Sequence, residues 1–357
     1  MQKKNCMRFF FLMCLFIPQV VFSQINKDSI HFSGYTEVYF SQDQHNWQDH
    51  QRPPFLYSHT STNHVALNTA VLDFKYSSNR LKTQLSLVEG TYANKVTSAE
   101  PIGFGALYVG NISYKLSSKE NLWIQAGVIP SHIGLESAIG FSNLSLSRSL
   151  AAENSPYYES GIALQYSSKN NKFFGSLLAL NGWQTMTLRA QQSRPDFGTQ
   201  IQYKPNEKIT LNHSTYYGEV AVLDSSQTRF FQNIYGNIQF KKNWTVQFQA
   251  DYGIQETENN ELNKSWMTGF LGLAFNVNDK LTLVGRWELL KDSNNLVISG
   301  VNNDLWGYSF NINYLLDEHL LLRAEWRNIT TNSYTFTFQN YSEKQMNGLN
   351  LSLAAQF

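Results

Sequence analysis

Polar and apolar side chains alternate with a period of two along most of this chain, and this pattern limits the fold more than any other feature. Successive side chains of a β-strand point to opposite faces, so each such segment has one apolar and one polar face. The clearest apolar series are Trp244, Val246, Phe248, Ala250 and Tyr252; Trp306, Tyr308, Phe310, Ile312 and Tyr314; and Leu349, Leu351, Leu353, Ala355 and Phe357. The pattern is typical of a soluble barrel or sandwich with an apolar interior, or of a membrane barrel with an apolar exterior.

Sixteen segments carry this pattern and are predicted to be strands. They are residues 30–40, 65–76, 81–89, 104–116, 122–129, 157–166, 172–181, 196–203, 209–219, 229–240, 244–256, 265–275, 281–290, 304–315, 319–329 and 346–357. Most are close to the roughly 9–11 residues that a tilted strand needs to cross hydrocarbon. Beyond residue 24 no apolar run is long enough for a transmembrane helix, which excludes a helical membrane protein.

The connections between these segments alternate between short turns and longer loops, the longest being 41–64 and 130–156. Short turns on one rim and long loops on the other are typical of an outer-membrane barrel with both termini in the periplasm. A soluble sandwich has no reason to keep this asymmetry. We therefore predict an all-β fold: a single transmembrane antiparallel β-barrel of about 16 strands, with short periplasmic turns and long extracellular loops.

The first 23 residues are predicted to be a signal peptide that is removed on export. Lys3, Lys4 and Arg8 form a positively charged segment before the apolar run 9–22. Small or medium-sized residues precede the predicted cleavage site. The barrel is then expected to occupy residues 24–357.

Composition excludes several classes of function. Both cysteines, Cys6 and Cys14, lie in the predicted leader, so the remaining chain has no thiol for a disulfide, a metal–thiolate site or a cysteine nucleophile. The leader holds three of the 28 lysines and arginines and none of the 27 acidic residues, which leaves a net charge of −2. No basic patch supports nucleic-acid binding, no enzyme motif appears, and no cofactor is expected.

Tryptophans fall near the ends of several predicted strands. Those near the short turns are Trp123 and Trp244, and those near the long loops are Trp183, Trp266, Trp306 and Trp326. This placement predicts two interfacial girdles of aromatic side chains, as outer-membrane barrels have.

Several stretches resemble the putative β-barrel porin type 2 (OmpL-like) family of Gram-negative outer membranes. They are GYTEVYF at 34–40, GVIPSHIGLES at 127–137, SRS at 147–149, ENSPYYESG at 153–161 and NGWQ at 181–184. The resemblance spans essentially the whole mature chain and is most specific between residues 127 and 184. It implies a barrel with a porin-like channel, and it supplies neither a known substrate nor catalytic residues.

The polar faces of two predicted strands, 281–290 and 319–329, carry charges, and the strand between them places Asn311 and Asn313 inward. The register directs Arg286 and Glu288 inward on one strand, and Arg323, Glu325 and Arg327 inward on another. A barrel of about 16 strands is too wide for side chains to fill and leaves an aqueous lumen, where such charges would tune ion passage. The alternative is that they form solvated pairs in the wall that contribute little.

The loop 130–156 is the third long connection, and in porins a long third loop commonly folds into the lumen. It brings His132, Glu136, Arg148 and Glu153, with Glu159 at the start of the next strand. We predict that this loop forms a constriction and that Arg148 faces carboxylates across its narrowest part. The alternative is an external loop ordered by its own contacts.

Four histidines, His45, His50, His59 and His64, crowd into the first long loop. Imidazole groups with nearby carboxylates could bind a transition metal. Their spacings match no metal motif, so no metal site is predicted.

The leading hypothesis is an outer-membrane, porin-like channel for passive diffusion of small hydrophilic solutes or ions. The alternative is a non-conducting barrel that anchors a surface or secretion complex through its loops. The expected partners are outer-membrane lipid and the barrel-assembly machinery, for which the terminal aromatic Phe357 is a suitable signal. Association into a homo-oligomer stays open.

Overall fold

The structure is a computed structural model that describes residues 28–45, 47–101, 104–188, 192, 194–222, 225–256, 264–298, 304–331, 336–338 and 341–357. The predicted signal peptide, residues 1–23, lies outside the described residues. No helix in the described part of the chain has the length and apolar character needed to cross a membrane.

Sixteen of the strands in the described residues form one closed antiparallel barrel, as predicted. In chain order they are β1 (Ser29–Asp43), β2 (Val65–Ser77), β3 (Leu81–Glu89), β4 (Leu107–Lys115), β5 (Asn121–Pro130), β6 (Tyr158–Ser167), β7 (Phe173–Leu180), β8 (Asp196–Asn206), β9 (Ile209–Val222), β10 (Ser225–Lys241), β11 (Trp244–Gln255), β12 (Lys264–Asn276), β13 (Leu281–Lys291), β14 (Leu305–Asp317), β15 (Leu320–Thr331) and β18 (Gln345–Gln356). Two further strands, β16 (Phe336–Phe338) and β17 (Tyr341–Glu343), pair only with each other within the last long connection.

The barrel closes where the first strand meets the last. β1 pairs with β2 on one side and with β18 on the other. Gly34 and Phe357 exchange two backbone hydrogen bonds of 3.0 Å at this seam. Closure leaves every strand paired on both sides, which satisfies the backbone polar groups that lipid could not.

The two faces of the wall follow the period-two pattern. Phe310 on β14 points outward with 64% of its surface exposed, whereas its neighbour Asn311 points inward and is 2% exposed. On β18, Leu351 is exposed and Asn350 is buried in the same way. The apolar surface therefore lies outside the barrel, where lipid covers it, and the predicted register is correct at these positions.

Some connections differ from the expected lengths. The connection expected between the predicted strands 209–219 and 229–240 is shorter, because β9 continues to Val222 and β10 already begins at Ser225. The ladder continues there because Ser225 and Val222 pair directly. Two short helices, α1 (Thr91–Val96) and α2 (Leu150–Glu153), form inside long connections.

The predicted tryptophan girdles are wrong for three of the six residues. Trp266 shares the inward register of Phe270 and is 2% exposed, and Trp183 packs on buried side chains inside the barrel. Trp123 points inward at the short-turn rim, where its indole nitrogen donates to Asn121 at 2.8 Å. A position near a strand end predicts that a side chain lies close to the membrane interface. It does not predict whether the side chain points to the lumen or to lipid, because that depends on the register of the strand.

Candidate functional site

The connection between β5 and β6, residues 131–157, folds into the barrel; we call it L3. Inward-facing side chains of β9, β11 and β14 bind its backbone from the far wall. The bonds that show this join Ser214 to the carbonyl of His132 (2.7 Å), Gln249 to the amide of Leu135 (2.9 Å) and Asn311 to the amide of Leu146 (2.7 Å). L3 therefore crosses the lumen.

Arg286 on β13 is the centre of the contact between L3 and the wall. Its guanidinium donates to the carbonyl oxygen of Ser147 at 2.6 Å and lies 3.6 Å from the carboxylate of Glu136, both on L3. On the wall side the same guanidinium lies 3.4 Å from Glu288 and 3.5 Å from Glu325. Its side chain is 1% exposed, so this is a dry network in which each charge is neutralised by neighbours.

Carboxylates of the network bind backbone amides of L3. Glu288 accepts from the Leu150 amide at 2.7 Å and from Arg327 at 2.8 Å. Glu136 accepts from both the amide and the hydroxyl of Ser149, at 2.8 and 2.6 Å. Together these bonds fix the first turn of α2, whose amide groups have no partner within the helix.

Arg323 on β15 anchors the preceding part of L3. It donates to the carbonyl oxygens of Gly140 at 2.9 Å, Asn143 at 2.8 Å and Leu144 at 3.0 Å. Three carbonyl acceptors suit the fixed fork of donors that guanidinium presents.

His132 fastens the start of L3, directly after β5. Its Nδ1 lies 2.7 Å from the Glu159 carboxylate and its Nε2 lies 2.8 Å from the carbonyl oxygen of Thr215. Both ring nitrogens therefore face acceptors, which only the doubly protonated ring can satisfy. Burial alone would lower the pKa of His132, but the charge and hydrogen bond of Glu159 and the Thr215 carbonyl raise it above its ordinary value.

The end of L3 binds the first long connection, residues 44–64, which we call L1. Glu153 accepts from the Tyr57 amide at 2.8 Å and also from Ser58. L1 is held inside the barrel in turn by the buried ion pair of Arg52 with Asp43 on β1. The two loops therefore occlude the long-loop end of the lumen together.

Four tyrosines pack beside L3. The ring centre of Tyr157 lies 5.1 Å from those of Tyr92 and Tyr108 and 6.0 Å from that of Tyr158. The guanidinium of Arg148 lies over the Tyr92 ring at 5.5 Å. All five side chains are buried, so this cluster is part of the packed interior around L3.

L3 borders two cavities, one towards the long loops and one towards the short turns. The one towards the long loops has a volume of about 260 Å³, and its walls include Tyr57, Tyr92, Glu153, Trp183, Gln184 and Arg229. The one towards the short turns has a volume of about 400 Å³, and its walls include Tyr35, Asp73, Lys75, Ile139, His319 and Phe357. L3 and its tyrosines thus stand between two solvent-accessible chambers.

The family model described as "Putative beta-barrel porin-2, OmpL-like" matches residues 29–357. The chain belongs to this porin family. Membership and the closed barrel place the porin in the outer membrane. No curated protein sequence matches it significantly.

Solved porin structures share the fold of this porin at low sequence identity. The outer membrane channel DcaP of Acinetobacter baumannii is 11% identical, with a TM-score of 0.64 over 94% of this chain and 99% of that one. An anion-selective porin from Comamonas acidovorans is 10% identical, with a TM-score of 0.61 over 93% and 100%. Salmonella typhi OmpF, in a complex with daunomycin, is 10% identical, with a TM-score of 0.60 over 92% and 97%. At such identities the likeness shows the architecture alone.

The structure brings the ten predicted pore residues of the porin to one level of the barrel, on or against L3. They are His132, Glu136, Arg148, Glu153, Glu159, Arg286, Glu288, Arg323, Glu325 and Arg327. None forms a solvated pair in the wall: nine of the ten are buried, and Glu136 is partly buried.

Contrary to the prediction, Arg148 does not face carboxylates across the lumen. Its guanidinium donates to the carbonyl oxygens of Glu136 at 3.2 Å and Ala152 at 3.1 Å. Within the described part of the chain it makes no ion pair with a carboxylate. Because L3 turns back on itself through α2, Arg148 braces the loop from within, and Glu136 faces the cationic wall instead.

The four histidines of L1 are dispersed. His59 is buried 3.4 Å from Glu37 on β1, whereas His45 lies near the backbone of β18. His50 and His64 pack edge to face with each other. The described residues contain no group of three metal-ligating side chains.

Sequence reasoning missed the tyrosine cluster and the folding of L1 into the lumen. Tyr157 and Tyr158 stand in a recognised motif, but Tyr92 and Tyr108 come from a loop and a strand far from it. Nothing in the local pattern of these residues indicates that they meet.

We predict that the porin is less stable at pH 9 than at pH 6, and that the His132→Gln variant loses this difference. A pKa raised by folding contributes stability at pH values below its unfolded value of about 6.5, and this contribution is lost as the pH rises through the folded pKa. The bond at stake is charge-assisted and contributes about 1.5–3 kcal/mol. Thermal unfolding at both pH values measures the effect.

His319→Gln is the matched control, because this histidine is exposed on a short turn. It should behave like the wild type at both pH values. An unchanged pH dependence in His132→Gln would show that the imidazolium does not anchor L3.

Proposed function

We propose that this porin conducts small hydrophilic solutes or ions by passive diffusion, and that L3 with the tyrosine cluster sets the width of the path. The observation that carries the proposal is the course of L3 across the lumen between two chambers. The ten predicted residues hold L3 in place at this constriction. They do not project freely into the path of the solute. The arrangement requires no cofactor and assigns no catalytic residue.

A channel fits the interior better than an anchor does. A lumen filled by its loops would favour an anchor, whereas the lumen below L3 is bounded by partly exposed polar side chains such as Gln125, Gln165 and Gln247. Polar side chains lining a wide barrel are expected to be hydrated.

We also propose partners for the outer surface. Outer-membrane lipid covers the apolar wall, and the exposed ring of Phe357 is the signal read by the barrel-assembly machinery. Self-association is proposed because a similar structure, OmpT of Vibrio cholerae, is described as a trimer form. The leader 1–23 completes the proposal as the export signal.

Deleting residues 138–142 should raise single-channel conductance. The side chain of Asn143 bonds both the amide and the carbonyl of Ser137, at 2.8 and 2.7 Å, so the two ends of this segment already lie together. Its removal should enlarge the lower chamber, which Ile139 borders, and leave the Arg286 network in place. Conductance steps of purified protein in planar bilayers measure the change.

Ser142→Ala is the control, because Ser142 is exposed at the tip of the segment. Its conductance should match that of the wild type. If neither the wild type nor the deletion variant conducts, the diffusion channel is refuted and an anchoring barrel becomes the better description.

A further inference from the structure

The charged side chains at the level of L3 neutralise one another. They do so where solvent does not reach them. The arginines of the wall bind L3 carbonyls or buried carboxylates, and His132 binds Glu159. Asp251, which faces the same level from β11, accepts hydrogen bonds from Asn233 and Gln249. A solute that passes L3 therefore meets few free charges.

Below L3 the wall carries a series of amide side chains on seven strands, which we call the amide belt. Its members point inward from β4–β6 and β8–β11, and they are Asn111, Gln125, Gln165, Gln200, Gln202, Asn212, Asn237 and Gln247. They bond their neighbours across strands: Gln165 to Gln125 at 2.9 Å, Gln125 to Asn111 at 3.0 Å, Gln200 to Asn212 at 2.9 Å and Gln247 to Asn237 at 3.2 Å.

Charged side chains of the described lower lumen lie on β2–β4 and at the short-turn end of β8, where Lys204 continues the inward register of Gln200 and Gln202. Asp73 and Lys75 form an ion pair of 2.7 Å. Lys82 and Lys115 lie near the short-turn rim, 4.3 and 6.0 Å from the ring of Trp123. These lysines favour anions slightly, whereas the amide belt itself carries no charge.

The geometry points to uncharged, polyhydroxylated solutes as the class that this porin passes best. A side-chain amide both donates and accepts hydrogen bonds, as does each hydroxyl group of such a solute. A charged solute gives up part of its hydration in the same passage and meets no free opposite charge along the belt. This inference rests on the proposed channel and adds its substrate class.

Liposome swelling and planar-bilayer recordings test the inference on the whole protein. We expect glucose to enter liposomes faster than glucuronate or glucosamine, which have similar size and opposite charges. We also expect a potassium-to-chloride permeability ratio close to one or slightly below it. Faster entry of either charged sugar, or strong ion selectivity, would overturn the inference while leaving the channel established.

Two substitutions place charge on the belt without changing its shape. In Gln202→Glu the hydroxyl of Tyr235, now 3.1 Å from the Gln202 amide nitrogen, can donate to the new carboxylate. Gln202→Glu combined with Gln247→Glu should raise the potassium-to-chloride permeability ratio roughly fivefold, which corresponds to about 1 kcal/mol. It should also slow glucuronate entry relative to glucose. Gln202→Lys should shift the ratio the other way.

Asn278→Asp is the control, because Asn278 is exposed on a short turn and accepts backbone hydrogen bonds that aspartate keeps. It adds one negative charge outside the belt, as each of the two belt substitutions does inside it, and should leave the ratio unchanged. If the belt variants leave the ratio unchanged too, solutes do not pass along the amide belt. If the wild type neither conducts nor swells liposomes, the proposed function fails, and the inference fails with it.

Discussion

Replacing Arg286 with Met should destabilise the barrel by about 3–5 kcal/mol and loosen L3. The substitution keeps an unbranched but shorter side chain and removes the cation that lies between Glu136, Glu288 and Glu325. Removing one partner of a buried charge network leaves the other charges without compensation, which costs more than the network contributes. Urea unfolding of the protein refolded in lipid vesicles measures the loss.

Lys75→Met is the matched control for this prediction. It also removes a cation from an ion pair, 2.7 Å from Asp73, but the Lys75 side chain is 50% exposed. Solvent screens such a pair, so the cost should stay below about 1 kcal/mol.

The same Arg286 substitution has a functional readout. Without its bond to the Ser147 carbonyl, L3 should fluctuate, and recordings should show larger and noisier conductance. Arg286→Lys keeps the charge and should be intermediate in both measurements. Equal stability of the Met variants at 286 and 75 would mean that L3 is held by other contacts.

An arginine placed on the outer wall should lower the free energy of unfolding by nearly as much as the Arg286→Met substitution does. Phe310→Arg and Leu351→Arg should each destabilise the barrel by about 2–4 kcal/mol, because both side chains point outward on the lipid-facing wall. Arginine can reach the interface only from positions near the rims. The same vesicle-based unfolding assay provides the measurement.

The best control for this substitution is Gln247→Arg, at a half-buried inward position of the lower lumen. The sequence register also predicts that the inward positions Asn311 and Asn350 tolerate arginine. In the structure both side chains point inward, but their hydrogen bonds leave no place for an arginine. Asn311 accepts from the Leu146 amide at 2.7 Å, and Asn350 bonds Ser41 and Glu325 at 2.7 and 3.1 Å. A penalty for Gln247→Arg as large as that for Phe310→Arg would contradict the assigned register.

The sequence by itself determined the strands, their register and the side of the wall that each side chain faces. Side-chain direction in a strand is a local property with a period of two, so the pattern around Phe310 or Leu351 is sufficient to assign it. Segment length and the alternation of short and long connections then predicted the closed barrel and its orientation. These features need no knowledge of which strands meet across the lumen.

The tertiary structure alone decided what the lumen contains. L3 meets the far wall at residues distant in the chain: Leu146 and Asn311 are 165 positions apart, and Ser147 and Glu325 are 178 apart. Only barrel closure brings such pairs together, and no local periodicity encodes them. For the same reason the tyrosine cluster, which joins Tyr92 and Tyr108 to Tyr157, could not be predicted.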